Sequence, residues 1–132
     1  MKSGDTRFDG NCGMFAIALV EAARRVGLDA LIVLAYAAES EEQFHQGRFH
    51  LYHVAVDLGG VLCDARGRIP CDEDLLSFMD PPPTDAKIER FVLDSHLAFT
   101  IRRKTRWTVS FEKYAGDAAR LVTVLGRAGS SS

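Results

Sequence analysis

The sequence predicts an α+β domain, an N-terminal helix lying on a mostly antiparallel sheet, and three patterns predict it. Residues 12–27 carry apolar side chains at helical spacing, residues 30–38 form an unbroken apolar run, and residues 50–58 alternate up to a Gly-Gly pair. With 132 residues, 47% hydrophobic and 26% charged, the chain is sized for one core. A single domain over residues 1–132 is therefore expected, with 1–8 and 127–132 flexible.

Each element follows from local chemistry. The helix is read from Cys12 to Gly27, with Phe15, Ile17, Ala18, Leu19, Val20, Ala23 and Val26 on an apolar face wide enough to be sunk in the core. Arg24 and Arg25 suit its C-terminal dipole, and Gly27 suits the left-handed stop. Ala30 to Ala38, bounded by Asp29 and Glu39, reads as a strand buried on both faces. Glu39 to Arg48 is polar and reads as an exposed loop. His50 to Leu58 has strand periodicity, with Tyr52, Val54, Val56 and Leu58 on one face and Leu51, His53, Ala55 and Asp57 on the other. Gly59-Gly60 is a two-residue turn, and Val61 to Arg66 is its returning strand. Asp72 to Met79 reads as a short helix stopped by Pro81-Pro82-Pro83, which form a rigid corner. Lys87 to Leu93 fits either helix or strand. Leu97 to Arg102 with Trp107 to Phe111 reads as a second hairpin, and Asp117 to Leu125 as a closing helix.

Composition narrows the partners. A net charge of -2 gives no overall field toward nucleic acid or an anionic membrane, so neither is expected as a partner. The longest apolar run is about half of the roughly 20 residues a membrane-spanning helix needs, and no basic-then-apolar signal opens the chain. A cytoplasmic location is expected. Cys12, Cys63 and Cys71 are too few for a disulfide framework and form no CxxC pair, so free thiols are expected. His50 and His53 fall on opposite faces of a strand, which argues against a shared metal ion, and no cofactor is called for.

The candidate chemistry centres on Cys12. A thiol becomes a nucleophile on ionising, and the unpartnered N–H groups at a helix start favour the thiolate. Asp9-Gly10-Asn11 before Cys12 is a turn-forming run that would aim N–H groups at an oxyanion, and Gly13 after it leaves room for a substrate backbone. The alternative is a buried cysteine acting as a small hydrophobe. For a base, His53 has a visible partner. In the two-residue hairpin register, Ala55 pairs with Asp64 and His53 with Arg66, making His53 and Asp64 diagonal neighbours on one face. The alternative is that both decorate a solvent-facing surface, and Arg66 would compete for Asp64. His96 is a reserve base. Cys63 is expected in the core and Cys71 in a loop, both inert. The basic run Arg102-Arg103-Lys104 with Arg106 and Trp107 reads as a solvated hairpin tip or as a protein-recognition patch.

A Cys-Gly at a helix start, a His on a later strand and an Asp on the next antiparallel strand resemble the papain-like superfamily, which includes NlpC-like peptidases, transglutaminase-like enzymes and arylamine N-acetyltransferases. Asp9-Gly10-Asn11-Cys12 is similar to the signature around the nucleophile of ovarian-tumour (OTU) deubiquitinases. Gly13-Met14-Phe15 departs from the bulky residue and aromatic that usually follow there, and His96-Leu97 lacks the aromatic neighbour of that family's histidine. The superfamily resemblance implies a papain-like fold and a cysteine hydrolase cleaving an amide, peptide or isopeptide bond through a thioester. Cys12 would be its nucleophile, His53 its base and Asp64 its orienting group. It implies a protein or peptide substrate, ubiquitin-like in the case of the OTU signature. Acyl transfer to an amine with the same triad, or a papain-like binding module without catalysis, fits the same residues.

Overall fold

The computed structural model describes the backbone of residues 3–104 and residue 120, and side chains from residue 13 onward within that span. Helix α1 (Ser3–Arg25) leads into strand β1 (Ala30–Ala37), helix α2 (Glu41–His45), strands β2 (His50–Leu58), β3 (Val61–Asp64), β4 (Gly67–Arg68) and β5 (Lys87–Phe91), and helix α3 (Ser95–Lys104). The strands form one antiparallel sheet in the order β4-β3-β2-β1-β5. The expected α+β class, with an N-terminal helix on an antiparallel sheet, is therefore present.

The sheet sits between two unlike layers. On one face α1 buries Phe15, Ile17, Leu19, Val20 and Ala23 against Ile32, Leu34, Tyr36, Val54, Val56, Leu58 and Cys63. Residues 14–20 are buried nearly all round, which explains why their sequence lacks a clean polar stripe. The helix ends as its composition dictates. Gly27 takes φ +79°, its N–H donates to the Arg24 carbonyl at 3.2 Å, and the Leu28 N–H reaches back to the Ala23 carbonyl at 2.9 Å, the paired closure that needs a left-handed residue. On the other face Val33, Ala35, Ala55 and Leu62 are covered by Ile69, Leu75 and Leu76 from the chain between β4 and β5, which holds one 3-10 turn at Asp72–Asp74. Both faces of β1 are thus dry, as its unbroken apolar run demands.

Several elements differ from the sequence reading. The helix begins at Ser3, so Asp9, Gly10, Asn11 and Cys12 lie within α1 rather than in a turn before it, and residues 3–8 continue the same helix. Glu39 to Arg48 contains α2, capped by the Ser40 hydroxyl accepting from the Gln43 N–H at 3.1 Å. The returning strand stops at Asp64, and Ala65-Arg66 turn the chain into β4. Asp72 to Met79 is a 3-10 turn and further turns instead of a regular helix. The ambiguous segment at Lys87 is strand β5.

Leu97 to Arg102 is not half of a hairpin but the middle of α3. Asp94 explains the difference: its Oδ1 accepts from the Leu97 N–H at 2.7 Å and its carbonyl from Ala98 at 2.9 Å, a helix start that favours the 97, 98, 101 spacing over alternation. Trp107 to Phe111 and Asp117 to Leu125 lie outside the described residues apart from Arg120, which is helical, and residues 127–132 lie outside them too. Among the described residues no helix is long and apolar enough to cross a membrane.

Candidate functional site

Strand β2 delivers the histidine and β3 the carboxylate. Leu58 pairs with Val61, Asp57 with Leu62 and Val56 with Cys63, the register that a two-residue turn at Gly59-Gly60 predicts. Both glycines take positive φ, +56° and +97°, and the Asp57 carboxylate accepts from the Gly60 N–H at 2.7 Å. Carried two residues further, that register sets His53 diagonally across from Asp64, and the His53 Nε2 and Asp64 Oδ2 atoms lie 2.7 Å apart.

The pair is deeply buried, at 0% and 2% exposure for the two residues. The solvent-facing alternative is thereby overturned, because the chain after β4 covers this face. The Phe78 ring meets the imidazole edge-on at 5.0 Å between centroids, and the Arg66 guanidinium lies 4.7 Å from the centre of the same ring.

Arg66 is a second owner of the carboxylate. Its backbone N–H donates to Asp64 Oδ1 at 2.8 Å, and its guanidinium reaches Asp64 Oδ2 from Nε at 3.0 Å and Nη2 at 2.7 Å. The same Nη2 also donates to the Leu75 carbonyl at 2.8 Å, tying the covering segment to the pair. Arg66 is therefore not opposite His53 in the ladder, as the longer strand would have required. It folds back from the turn. Burial alone would raise the Asp64 carboxyl, but the hydrogen bonds from His53 and Arg66 and the charges beside it outweigh that, leaving it below its ordinary 3.8. With an ionised carboxylate on Nε2, the ring carries its proton there when neutral, and Nδ1 is the nitrogen able to take a proton from a nucleophile.

The nucleophile's place follows from the helix. Cys12 and Asp9, Gly10 and Asn11 belong to α1, whose first residue is Ser3, so Cys12 lies well past the first turn where unpartnered N–H groups gather. The expected activation of the thiol by a helix start, and an oxyanion hole built from a turn at 9–11, are not present in this backbone. The side chains of residues 9–12 lie outside the described ones; Gly13, the next residue, is buried. The packed part of α1 lies on the face lined by Val54, Val56 and Cys63, whereas His53 and Ala55 point to the opposite face. Only four residues, 26–29, join α1 to β1, which makes them antiparallel neighbours and carries the part of α1 around residue 12 toward the Ala37 and His50 end of the strands, the end nearer His53.

The other candidates separate cleanly. The Cys63 thiol is buried, and burial followed by the neighbouring Asp64 and Asp57 pushes it up to about 12, so it is inert as expected. Cys71 is exposed ahead of the 3-10 turn, with its thiol raised by hydrogen bonds to Glu73 and Asp74. His96 is exposed on α3. No group of three or more His, Cys, Asp or Glu among the described residues is arranged to hold a metal ion. Sequence reasoning missed Phe78 and the Leu75 carbonyl, whose approach depends on a fold-back that no local pattern announces.

No family model, curated protein or solved structure matches this chain.

Proposed function

We propose that this chain is a cysteine hydrolase that cleaves an amide, peptide or isopeptide bond, with Cys12 as nucleophile, His53 as base and Asp64 as the group that orients the base. The observation that carries the proposal is the buried 2.7 Å bond between His53 Nε2 and Asp64 Oδ2, which fixes the ring in one tautomer inside a dry site. In the proposed sequence the Cys12 thiol gives its proton to His53 Nδ1 as the sulfur attacks the substrate carbonyl. The imidazolium then returns that proton to the departing amine, leaving a thioester. Water, deprotonated by the same ring, attacks the thioester carbonyl, and the acid leaves as the thiol is restored.

A second reading, a non-catalytic binding module, is favoured by the side of the sheet on which each group stands. α1 packs on the face away from His53, and Arg66 holds Asp64 as a structural clamp would. Transfer of the acyl group to an amine instead of water would use the same residues.

Iodoacetamide labelling across pH, resolved by peptide mass spectrometry, separates them. For the hydrolase, Cys12 alkylates at pH 6 at least about tenfold faster than a model thiol, because a paired thiolate persists below the ordinary thiol range, and His53→Ala removes the excess. Equal rates for Cys12 and the model thiol, unchanged by His53→Ala, would establish the binding module. An amine-trapping assay then distinguishes transfer from hydrolysis.

A further inference from the structure

A cleft opens on the helical side of the sheet, remote from the His53–Asp64 pair, between α2, the end of β5 and α3. Its aromatic part, about 250 Å³, is walled by Phe44, Phe49, Phe91 and Leu97. Those aromatics are locked by one another: Phe44 stacks on Tyr36 at 4.3 Å and lies 4.8 Å from Phe49 and 5.4 Å from Phe91. A rigid apolar wall of this kind is preformed rather than induced.

A second part, about 380 Å³, continues past Thr100 and His96, which line both parts, to Arg103 and Lys104. Neither of these cations has a carboxylate partner among the described residues. Lys104 Nζ donates to the Phe49 carbonyl at 2.7 Å and lies 4.2 Å from the centre of the Phe49 ring, and the Arg103 guanidinium lies over Phe99 at 5.7 Å. Burial and then the Arg103 charge lower the Lys104 ammonium below its usual value. At the aromatic end stands Asp94, whose carboxylate is held by the Leu97 N–H. The cleft is thus electrically polar along its length, negative beside the aromatic end and positive beside Arg103 and Lys104. Val92 and Phe99, 68% and 58% exposed, form apolar lips on the two parts.

We infer that this cleft binds a small amphipathic anion, with an acyl or aryl body against Phe44, Phe49, Phe91 and Leu97 and a carboxylate or phosphate head between Arg103 and Lys104. Charge complementarity sets the orientation: Asp94 repels the head from the aromatic end, while Arg103 and Lys104 offer it two positive charges at the other. The inference stands whether or not Cys12 is catalytic, because none of these residues belongs to the proposed triad.

Titration calorimetry and amide NMR on the full chain test it with three probes: decanoate, decanol and inorganic phosphate. Decanoate is expected to bind and to shift the amides of residues 44–49 and 92–104. Decanol, with the same tail and no charge, should bind roughly tenfold more weakly, and phosphate alone more weakly still. Arg103→Gln, which removes only an exposed guanidinium, should cost decanoate roughly tenfold and leave decanol unchanged, and Thr100→Phe should block both while the far-UV spectrum is retained. Tight phosphate binding without a tail preference would assign the cationic end to free phosphate and overturn the amphipathic ligand. Equal binding of decanoate and decanol to wild type and Arg103→Gln, or shifts confined to other residues, would overturn it as well.

Discussion

Asp64 receives one imidazole nitrogen, one backbone N–H and a guanidinium while almost no water reaches it. Such a carboxylate must stay ionised for its partners to stay satisfied. Its folded-state value lies below 3.8, so the stability it contributes is complete above about pH 4 and drains away as pH falls through the folded value. Asp64→Asn is therefore expected to destabilise the chain by about 3 kcal/mol at pH 7, since it strands Arg66 and His53, and to flatten the acid limb of the stability curve. Urea unfolding at pH 7, 4 and 3 checks both. A variant that loses stability in parallel with the wild type at all three values would show that this carboxyl does not govern the acid limb. The His53–Asp64 meeting was legible from the sequence, because strand alternation and a Gly-Gly turn fix which residues are diagonal. Arg66 was legible only as a competitor, because strand periodicity has no way to mark where a ladder ends and a turn sends a side chain back.

At the scale of elements, what the sequence revealed depended on whether the signal was local. The apolar run of β1, the hairpin of β2 and β3 and the Gly27 stop each rest on near neighbours in the chain, and each is found where expected. The segment at 97–102 misled because its apolar residues, Leu97, Phe99 and Ile101, alternate as a strand would; only Ile101 is buried, and Phe99 faces solvent. What decided for helix is the Asp94 cap. Asp94→Ala should accordingly weaken α3 by about 1 kcal/mol, seen as a lower urea midpoint with a loss of helical ellipticity. An unchanged midpoint would mean that packing of Leu97, Ala98 and Ile101 suffices to hold the helix. The start of α1 was misplaced for a related reason: Asp9-Gly10-Asn11 has turn composition, yet the helix runs through it from Ser3.

For the molecule as a whole, the sheet has one face sealed by regular helices and the other by an irregular cover that no periodicity could have disclosed. That cover is held by Leu75, fully buried among Val33, Ala35 and Ala55, and by two arginine ties. Arg66 reaches the Leu75 carbonyl, and Arg90 bridges Asp57 on β2 and Asp72 on the cover at 2.7 Å and 2.9 Å. Leu75→Ala should cost about 3 kcal/mol and speed amide exchange in residues 69–79 before that of β1 or β2. Uniform acceleration across the sheet would instead mean that both layers open as one unit. Strand β2 meets this two-sided burial with an irregularity. Ala35 pairs with His53 but Tyr36 with Leu51, so Tyr52 is a supernumerary residue, and Leu51 rather than Tyr52 joins Val54 and Val56 beneath α1, reversing the alternation read from sequence. The bulge acts as a phase adjuster: the strand can absorb one residue of length at that point while every side chain beyond it keeps its hemisphere, whereas the same change between Val54 and Val56 would turn His53 toward the helices and Val54 away from them while Val56 stayed in place.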